Sequence, residues 1–255
     1  MESPLLIHIP HASVTISKQD FRDFLPTQEE IVYELIRLTD WYTDELFGQG
    51  WDHQNVVQFE HSRLVVDVER FASDSVEPCA KVGMGATYLK TTRGNILRQL
   101  TTLRREELIQ KYYVPHHLLF TKKIKKILEN FNRCIIIDAH SYPTNPLPTQ
   151  TDFKFTPEIG IGTDNIFTSP ELIELTQNYF KSHGLEVGLN QPFCGTIVPQ
   201  EFYESKDCRV QSVMIEVRRD LYINEATAEK NSQFNRIKSI IHGYRKAVAE
   251  YALTE

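Results

Sequence analysis

The sequence predicts an α/β protein, a sheet sandwiched between helices, and three observations carry that expectation. Short runs of branched apolar residues alternate along the chain with longer segments whose apolar residues recur at helical spacing. One run, Cys134-Ile135-Ile136-Ile137, is apolar at every position and reads as a strand buried on both faces. It passes directly into the polar Asp138-Ala139-His140-Ser141 before Pro143 forces a turn. In open α/β sheets ligands bind at that end of the strands.

Leu5-Leu6-Ile7-His8-Ile9 is the first strand, and Pro10 ends it ahead of His11-Ala12-Ser13. His8 lies inside the strand run and reads as a packed residue, whereas His11 falls in the loop beyond it and is the stronger ligand candidate. Thr27 and Glu30 form a capping-box pattern for a helix whose apolar stripe is Ile31, Leu35, Leu38, Tyr42 and Leu46, with Gly48 and Gly50 as its stop. Asp40 and Asp44, one turn apart, then share a face beside that stripe. Residues 56–60 and 64–68 read as two strands. Arg63, Asp67, Glu69 and Arg70 surround the second, as an ion-pair network or as a surface for a charged ligand. Residues 79–98 lack periodicity and read as a loop or hairpin; Gly83-Met84-Gly85 is too short a signal for a nucleotide loop.

Residues 102–131 are expected to be helical, interrupted at Pro115 with His116 and His117 behind it. Leu118, Ile124, Ile127, Leu128 and Phe131 point inward, and Lys122, Lys123, Lys125 and Lys126 form the solvated face. The polar, Pro-rich segment from His140 to Gly162 reads as surface loop. Ser169 caps a helix with Pro170 in its first turn, ending near His183-Gly184. Strands follow over 185–189 and 210–219, separated by a loop over 190–203, and a closing helix runs over 226–251.

A single domain over residues 1–255 is expected, and 41% hydrophobic with 24% charged residues is ordinary for a soluble globular protein. A net charge of -6, a pI near 5.9 and scattered Lys and Arg leave no basic footprint, so nucleic acid is not an expected partner. The four cysteines lack C-x-x-C spacing and read as reduced thiols. Met1-Glu2-Ser3-Pro4 lacks the start of a signal peptide, and no stretch approaches the ~18 apolar residues of a membrane span. A cytoplasmic, soluble protein with no membrane association is the expectation.

The strand edges of this sheet would present His11, Asp40 or Asp44, His140 and Glu216. Two neutral imidazoles and one carboxylate match a common ligand set of catalytic zinc sites, with a further position left for water. Asp138, two residues before His140 on an extended chain, points to the same side and is placed to orient it. Val213, Ile215 and Val217 share one face of the last strand and leave Glu216 on the other. There it serves as a general base on the water, or as a buried partner of Arg218 or Arg209.

Pro10-His11-Ala12-Ser13, Thr39-Asp40-Trp41, the stretch Ser62-Arg63-Leu64-Val65-Val66-Asp67-Val68-Glu69-Arg70, Asp138-Ala139-His140-Ser141 and Ile215-Glu216-Val217 come in the order seen in the N-formylglutamate amidohydrolase family. The resemblance runs from about residue 5 to about residue 220. That family is distantly similar to zinc carboxypeptidases and to the aspartoacylase and succinylglutamate desuccinylase group. The resemblance implies a three-layer α/β/α fold with a mixed central sheet, phosphorylase/hydrolase-like, a Zn2+ held by His11, His140 and an acidic residue of the first helix, and Glu216 as the base. The carboxypeptidase-like His-x-x-Glu is absent, because Val14 stands three residues after His11, so the carboxylate ligand comes from elsewhere, Asp40 in preference to Asp44. Ser13 where the family commonly has Gly, and Glu69-Arg70-Phe71 where it has Asn-Arg before a Pro-rich segment, bear on the substrate more than on the metal chemistry.

The expected activity is hydrolysis of an anionic N-acyl amino acid, formyl by resemblance. Arginine forks suit the substrate carboxylates, and Arg63, Arg70 and Arg93 are the nominees. The rivals are a relative acting on another N-acyl amino acid or small peptide, and a binding protein that keeps the site without turnover.

Overall fold

In the computed structural model, which describes residues 3–145 and 156–254, six strands form one sheet. They are β1 (Leu5–Ile9), β2 (Val56–Gln58), β3 (Cys134–Tyr142), β4 (Ile159–Gly162), β5 (Val187–Leu189) and β6 (Val210–Arg218), in the order β2-β1-β3-β6-β4-β5. β1, β2, β3 and β6 run parallel, whereas β4 is antiparallel to β6 and parallel to β5. The sheet is therefore mixed, as the motifs imply.

Alternation along the strands sorts the side chains into two faces. Ile7, Ile137, Val213 and Ile215 lie on one face and form the main core with α4 (Pro170–Ser182) and α6 (Phe234–Thr254) through Leu172, Phe180, Ile241 and Tyr244. Leu6, Cys134, Ile136 and Val210 lie on the other, against Phe120, Ile124, Ile127 and Leu128 of α3 (Val114–Phe131). Each fully buried branched side chain contributes roughly 1.5–3 kcal/mol of transfer free energy, which holds the three layers together.

The α3 face changes character along its length. Leu6 is followed by His8, Ile136 by Asp138 and His140, and Ser212 and Met214 by Glu216. Because β1, β3 and β6 are parallel, all three deliver their polar residues toward the same edge. The positioning of the site is thus a property of the topology.

Several expected elements differ. Thr27 and Glu30 do cap α1 (Gln28–Leu38) reciprocally, but the helix ends at Leu38 instead of Gly48. Thr39 is extended, the Asp40 N–H donates to the His11 carbonyl at 3.0 Å, Tyr42 takes a φ of 61°, and a separate π turn spans Asp44–Gly48. Asp40 and Asp44 do not share a helix. Residues 64–68 are buried yet form no strand, since their backbone bonds go locally to Ser62, to Ala86 and to the Arg98 guanidinium. Leu64 and the flanking valines fill clusters of their own with residues such as Tyr88, Leu97 and Leu108.

Pro115 does not break α3. It occupies the first turn, after α2 (Thr102–Leu108) and a π turn over Ile109–Tyr113, where a missing N–H costs little. Leu118 is consequently 65% exposed, and His116 and Phe120 take the inward positions. Ile159–Gly162 is a strand, not loop; α5 (Gln200–Ser205) interrupts the loop expected over 190–203; and α6 begins at Phe234, after a turn segment. No helix among the described residues is long and apolar enough to cross a membrane.

Candidate active site

His11, Asp40 and His140 converge at the polar edge, with ligating atoms that lie within 4.8 Å of one another. His11 arrives from the loop after β1, Asp40 from the break after α1 and His140 from β3. Asp40 Oδ2 is 3.5 Å from His11 Nδ1 and 3.1 Å from His140 Nδ1. The far ring nitrogens meet other carboxylates: His11 Nε2 lies 2.8 Å from Asp67 Oδ1, and His140 Nε2 lies 3.1 Å from Asp138 Oδ1. A carboxylate on Nε2 favours the tautomer protonated there and turns the Nδ1 lone pair toward Asp40.

These carboxylates are themselves anchored. Asp67 Oδ2 accepts from Arg63 Nε at 3.1 Å, Arg63 Nη2 at 2.7 Å and the Tyr88 hydroxyl at 2.5 Å. Asp40 Oδ1 accepts from Arg219 Nη2 at 2.8 Å, and Arg219 also donates to Ser141 Oγ and to the carbonyls of Arg37 and Ser141. Burial alone would raise the pKa of Asp40, but the His11 and His140 imidazoles beside it and the charge of Arg219 hold it well below the usual carboxylate range. Asp67 is likewise held down against burial, by Arg63 and His11. Burial opposes a charge on His140, yet Asp138, Asp40 and Glu69 raise its proton affinity far above an ordinary imidazole. That same negative field favours a dication, which competes with the proton for the imidazole nitrogen.

His11 Nδ1 is buried and has no hydrogen-bond partner. An orphaned imidazole nitrogen facing a carboxylate and a second imidazole fits a zinc-type donor set. Beside it stands Glu216, paired in parallel register with His140, 7% exposed, its Oε2 buried without a partner. Neither arginine considered as its partner is free: Arg218 bonds Asp220 and the Thr156 carbonyl, and Arg209 bonds Asp207. Burial lifts the Glu216 pKa well above the carboxylate range and Asp40 adds to the rise, against His140, Arg219 and Arg63. A Cβ on Gly160 would come within 3.1 Å of Glu216 Cβ and 2.9 Å of the Gln191 carbonyl, so a glycine in β4 leaves room for Gln191 and Glu216 side by side.

The three nominated arginines separate. Arg63 spends its Nε and Nη2 on Asp67 and reaches the Leu38 carbonyl with Nη1, so its first task is to hold the carboxylate behind His11. Arg70 lies 3.9 Å from Asp67 with 28% of its side chain exposed, and its Nε is buried without a partner. Arg93 is set apart: it is exposed on the turn at Thr91–Asn95, its guanidinium 4.0 Å over the Tyr33 ring, and no ion pair or hydrogen bond joins it to the cluster among the described residues. Arg219 was not singled out from the sequence. Its signal was its place, three residues after Glu216 at the end of a strand that pairs with the His140 strand.

A mixed sheet that brings two carboxylate-oriented imidazoles, a carboxylate and an unpartnered glutamate to one edge defines an α/β protein with a hydrolase-type centre. The chain belongs to the N-formylglutamate amidohydrolase family, whose model matches residues 3–223. It is 25% identical over 228 residues to N-formylglutamate deformylase of Pseudomonas putida, a match covering 87% of this chain and 82% of that one. The fold resembles the solved N-formylglutamate amidohydrolase of Ralstonia eutropha JMP134, with a TM-score of 0.83 at 20% identity over 98% of this chain and 94% of the other. A gene product from Agrobacterium tumefaciens is similar at a TM-score of 0.66 and 20% identity, over 98% and 92% of the two chains. The family and the three-layer mixed α/β fold are those the motifs implied.

Proposed function

We propose that the chain is a zinc-dependent amidohydrolase that removes a short N-acyl group, formyl, from an acidic amino acid such as glutamate. The observation that carries this reading is the convergence of His11 Nδ1, Asp40 Oδ2 and His140 Nδ1, with the unpartnered Glu216 opposite His140 in register. His11, Asp40 and His140 are the residues that would hold the metal. Lewis-acid polarisation of the acyl carbonyl and an acidified water are what zinc supplies when bound in such a set.

Glu216 takes the proton from the attacking water and returns it to the amine nitrogen as the C–N bond breaks, releasing formate and the amino acid. Its raised proton affinity suits both halves of that transfer. Asp67 and Asp138 keep the two imidazoles turned with Nδ1 inward, and Arg219 keeps Asp40 ionised and in place. Arg70, half-buried and with no hydrogen bond on its Nε, binds a substrate carboxylate; Arg63 retains two N–H groups for the same anion. The name of the Pseudomonas putida relative supports the choice of N-formylglutamate.

The test is hydrolysis of N-formylglutamate, N-acetylglutamate and N-formylleucine by chelator-stripped and zinc-reconstituted protein. Turnover that vanishes on stripping, returns with zinc and favours N-formylglutamate is expected. Undiminished turnover in protein shown to be metal-free would overturn the metal, and equal use of the neutral substrate would overturn the anion pocket.

A further inference from the structure

His8, Glu69 and Asp138 make a second cluster beside the first, again with ligating atoms within 4.8 Å of one another. His8 Nδ1 lies 3.0 Å from Asp138 Oδ1 and 3.1 Å from Glu69 Oε1, spacings close to those around Asp40. The ring has no freedom to turn away. Its Nε2 sits 2.9 Å from His116 Nε2, and it stacks on Phe120 with centroids 4.4 Å apart.

Charge sets this cluster apart from its neighbours. Asp40 has Arg219 at 2.8 Å and Asp67 has Arg63 at 2.7 Å. Among the described residues neither Glu69 nor Asp138 has a Lys or Arg nitrogen within 4.0 Å; their ionic contacts are His8 and His140 alone. Asp138 has some relief, from the Ile197 N–H at 3.2 Å on Oδ2. Glu69 Oε1 is buried and accepts no hydrogen bond. One imidazole N–H cannot align with two oxygens at once, and His8 gives its hydrogen bond to Asp138. Apart from His8 and His140 no cation faces these two carboxylates among the described residues, and an oxygen buried there without a hydrogen bond is where a further positive centre is most favoured, because burying uncompensated charge is costly.

We propose that this cluster is a second divalent-cation site, with His8 Nδ1, Glu69 Oε1 and Asp138 Oδ1 as its ligands. One imidazole nitrogen and two carboxylate oxygens suit a transition-metal dication of the zinc or cobalt class better than Mg2+ or Ca2+, which take all-oxygen sets. His116 then plays for His8 the orienting part that Asp67 plays for His11, accepting the Nε2 proton. Asp138 Oδ1 has more than one lone pair, so it coordinates while still accepting from His140 Nε2, and one carboxylate ties the two centres together. Glu69 immediately precedes Arg70, so an ion here also pins the segment that carries the proposed substrate arginine.

The experiment is a count of bound Co2+ per chain after titrating chelator-stripped protein with the metal alone, in wild type, His11→Ala and Glu69→Gln, with folding followed by circular dichroism. Two equivalents in wild type and one in each variant are expected, and His8→Gln is a second variant expected to lose the same equivalent as Glu69→Gln. A single wild-type equivalent that Glu69→Gln keeps and His11→Ala loses overturns the second site and leaves the proposed function standing. Two equivalents that both Glu69→Gln and His8→Gln keep overturn it as well. One equivalent lost in Glu69→Gln but kept in His11→Ala upholds this site and removes the catalytic metal instead, and none in wild type removes both.

Discussion

Asp20 and Asp40 are both buried aspartates in charged networks, and the contrast between them locates function in this chain. Around Asp20, which is 0% exposed, every demand is met from within: Ser17 Oγ at 2.5 Å, the Tyr112 hydroxyl, Arg104 Nη2 at 2.7 Å and Lys111 Nζ at 3.6 Å. Burial works against its charge, yet the Ser17, Tyr112 and Arg104 bonds lower its pKa. Around Asp40 the network is as dense but stays open, for His11 Nδ1 and Glu216 Oε2 are buried without partners. A closed network stabilises; an open one awaits a ligand. Buried polar atoms are almost always satisfied, so orphans that converge on one point carry information that burial and charge alone do not.

Substitutions can break this contrast from either side. The largest effect is expected at the open centre, where His11→Ala or His140→Ala should lose both the catalytic metal and activity, as read by metal analysis and assay. Full occupancy of that site in either variant would remove the residue from the ligand set. At the closed network, Asp20→Asn should cost roughly 3 kcal/mol of stability, the low end for a broken buried pair because Arg104 keeps Asp23 and Glu107. Turnover per folded molecule should not change.

The same aspartate has a pH signature. Its folded-state pKa lies below the ordinary aspartate value of 3.8, so its contribution is present above that value and is lost as pH falls through the lower folded one. Denaturation curves of Asp20→Asn should therefore be flatter than wild type on the acid side below about pH 4. Identical acid limbs in the two proteins would show that Asp20 carries no such linkage.

Smaller effects test the arginines. Arg70→Lys keeps the charge but loses the fork, and should weaken kcat/KM by about 1–3 kcal/mol, chiefly through KM. Arg93→Ala, on an exposed turn, should change stability and kcat/KM by no more than about 0.5 kcal/mol. A large loss in Arg93→Ala with Arg70→Lys unaffected would move the anion pocket to the Thr91–Asn95 turn.

Much of this centre was legible in the sequence because strands report their own ends. An apolar run that turns polar at Asp138 and His140, and a Pro that stops β1 before His11, are local signals of a sheet edge. Asp40 was legible as a residue but not in its setting, since the break after Leu38 depends on a hydrogen bond from its own N–H to the carbonyl of His11, in a different segment of the chain. Residues 64–68 carry a strand composition, yet strand formation needs a partner, and Asp67 instead ties the segment to His11, Arg63 and Tyr88. Arg63 was nominated for the substrate although the sequence also allowed an ion-pair network, and it is Asp67, four residues on, that takes its fork; the role of Arg219 exists only once α1 and β6 are brought together.

The central claim is that Glu216 is left open for chemistry, and Glu216→Gln tests it most directly, with zinc content, melting temperature and turnover measured on the same preparation. Gln keeps the shape but cannot take a proton. Near-normal zinc and near-normal melting, with turnover reduced about 10²- to 10⁴-fold, is the expected result. A lower melting temperature with an unchanged rate per folded molecule would make Glu216 a structural residue and contradict the claim. Loss of zinc would contradict it differently, by making Glu216 a ligand.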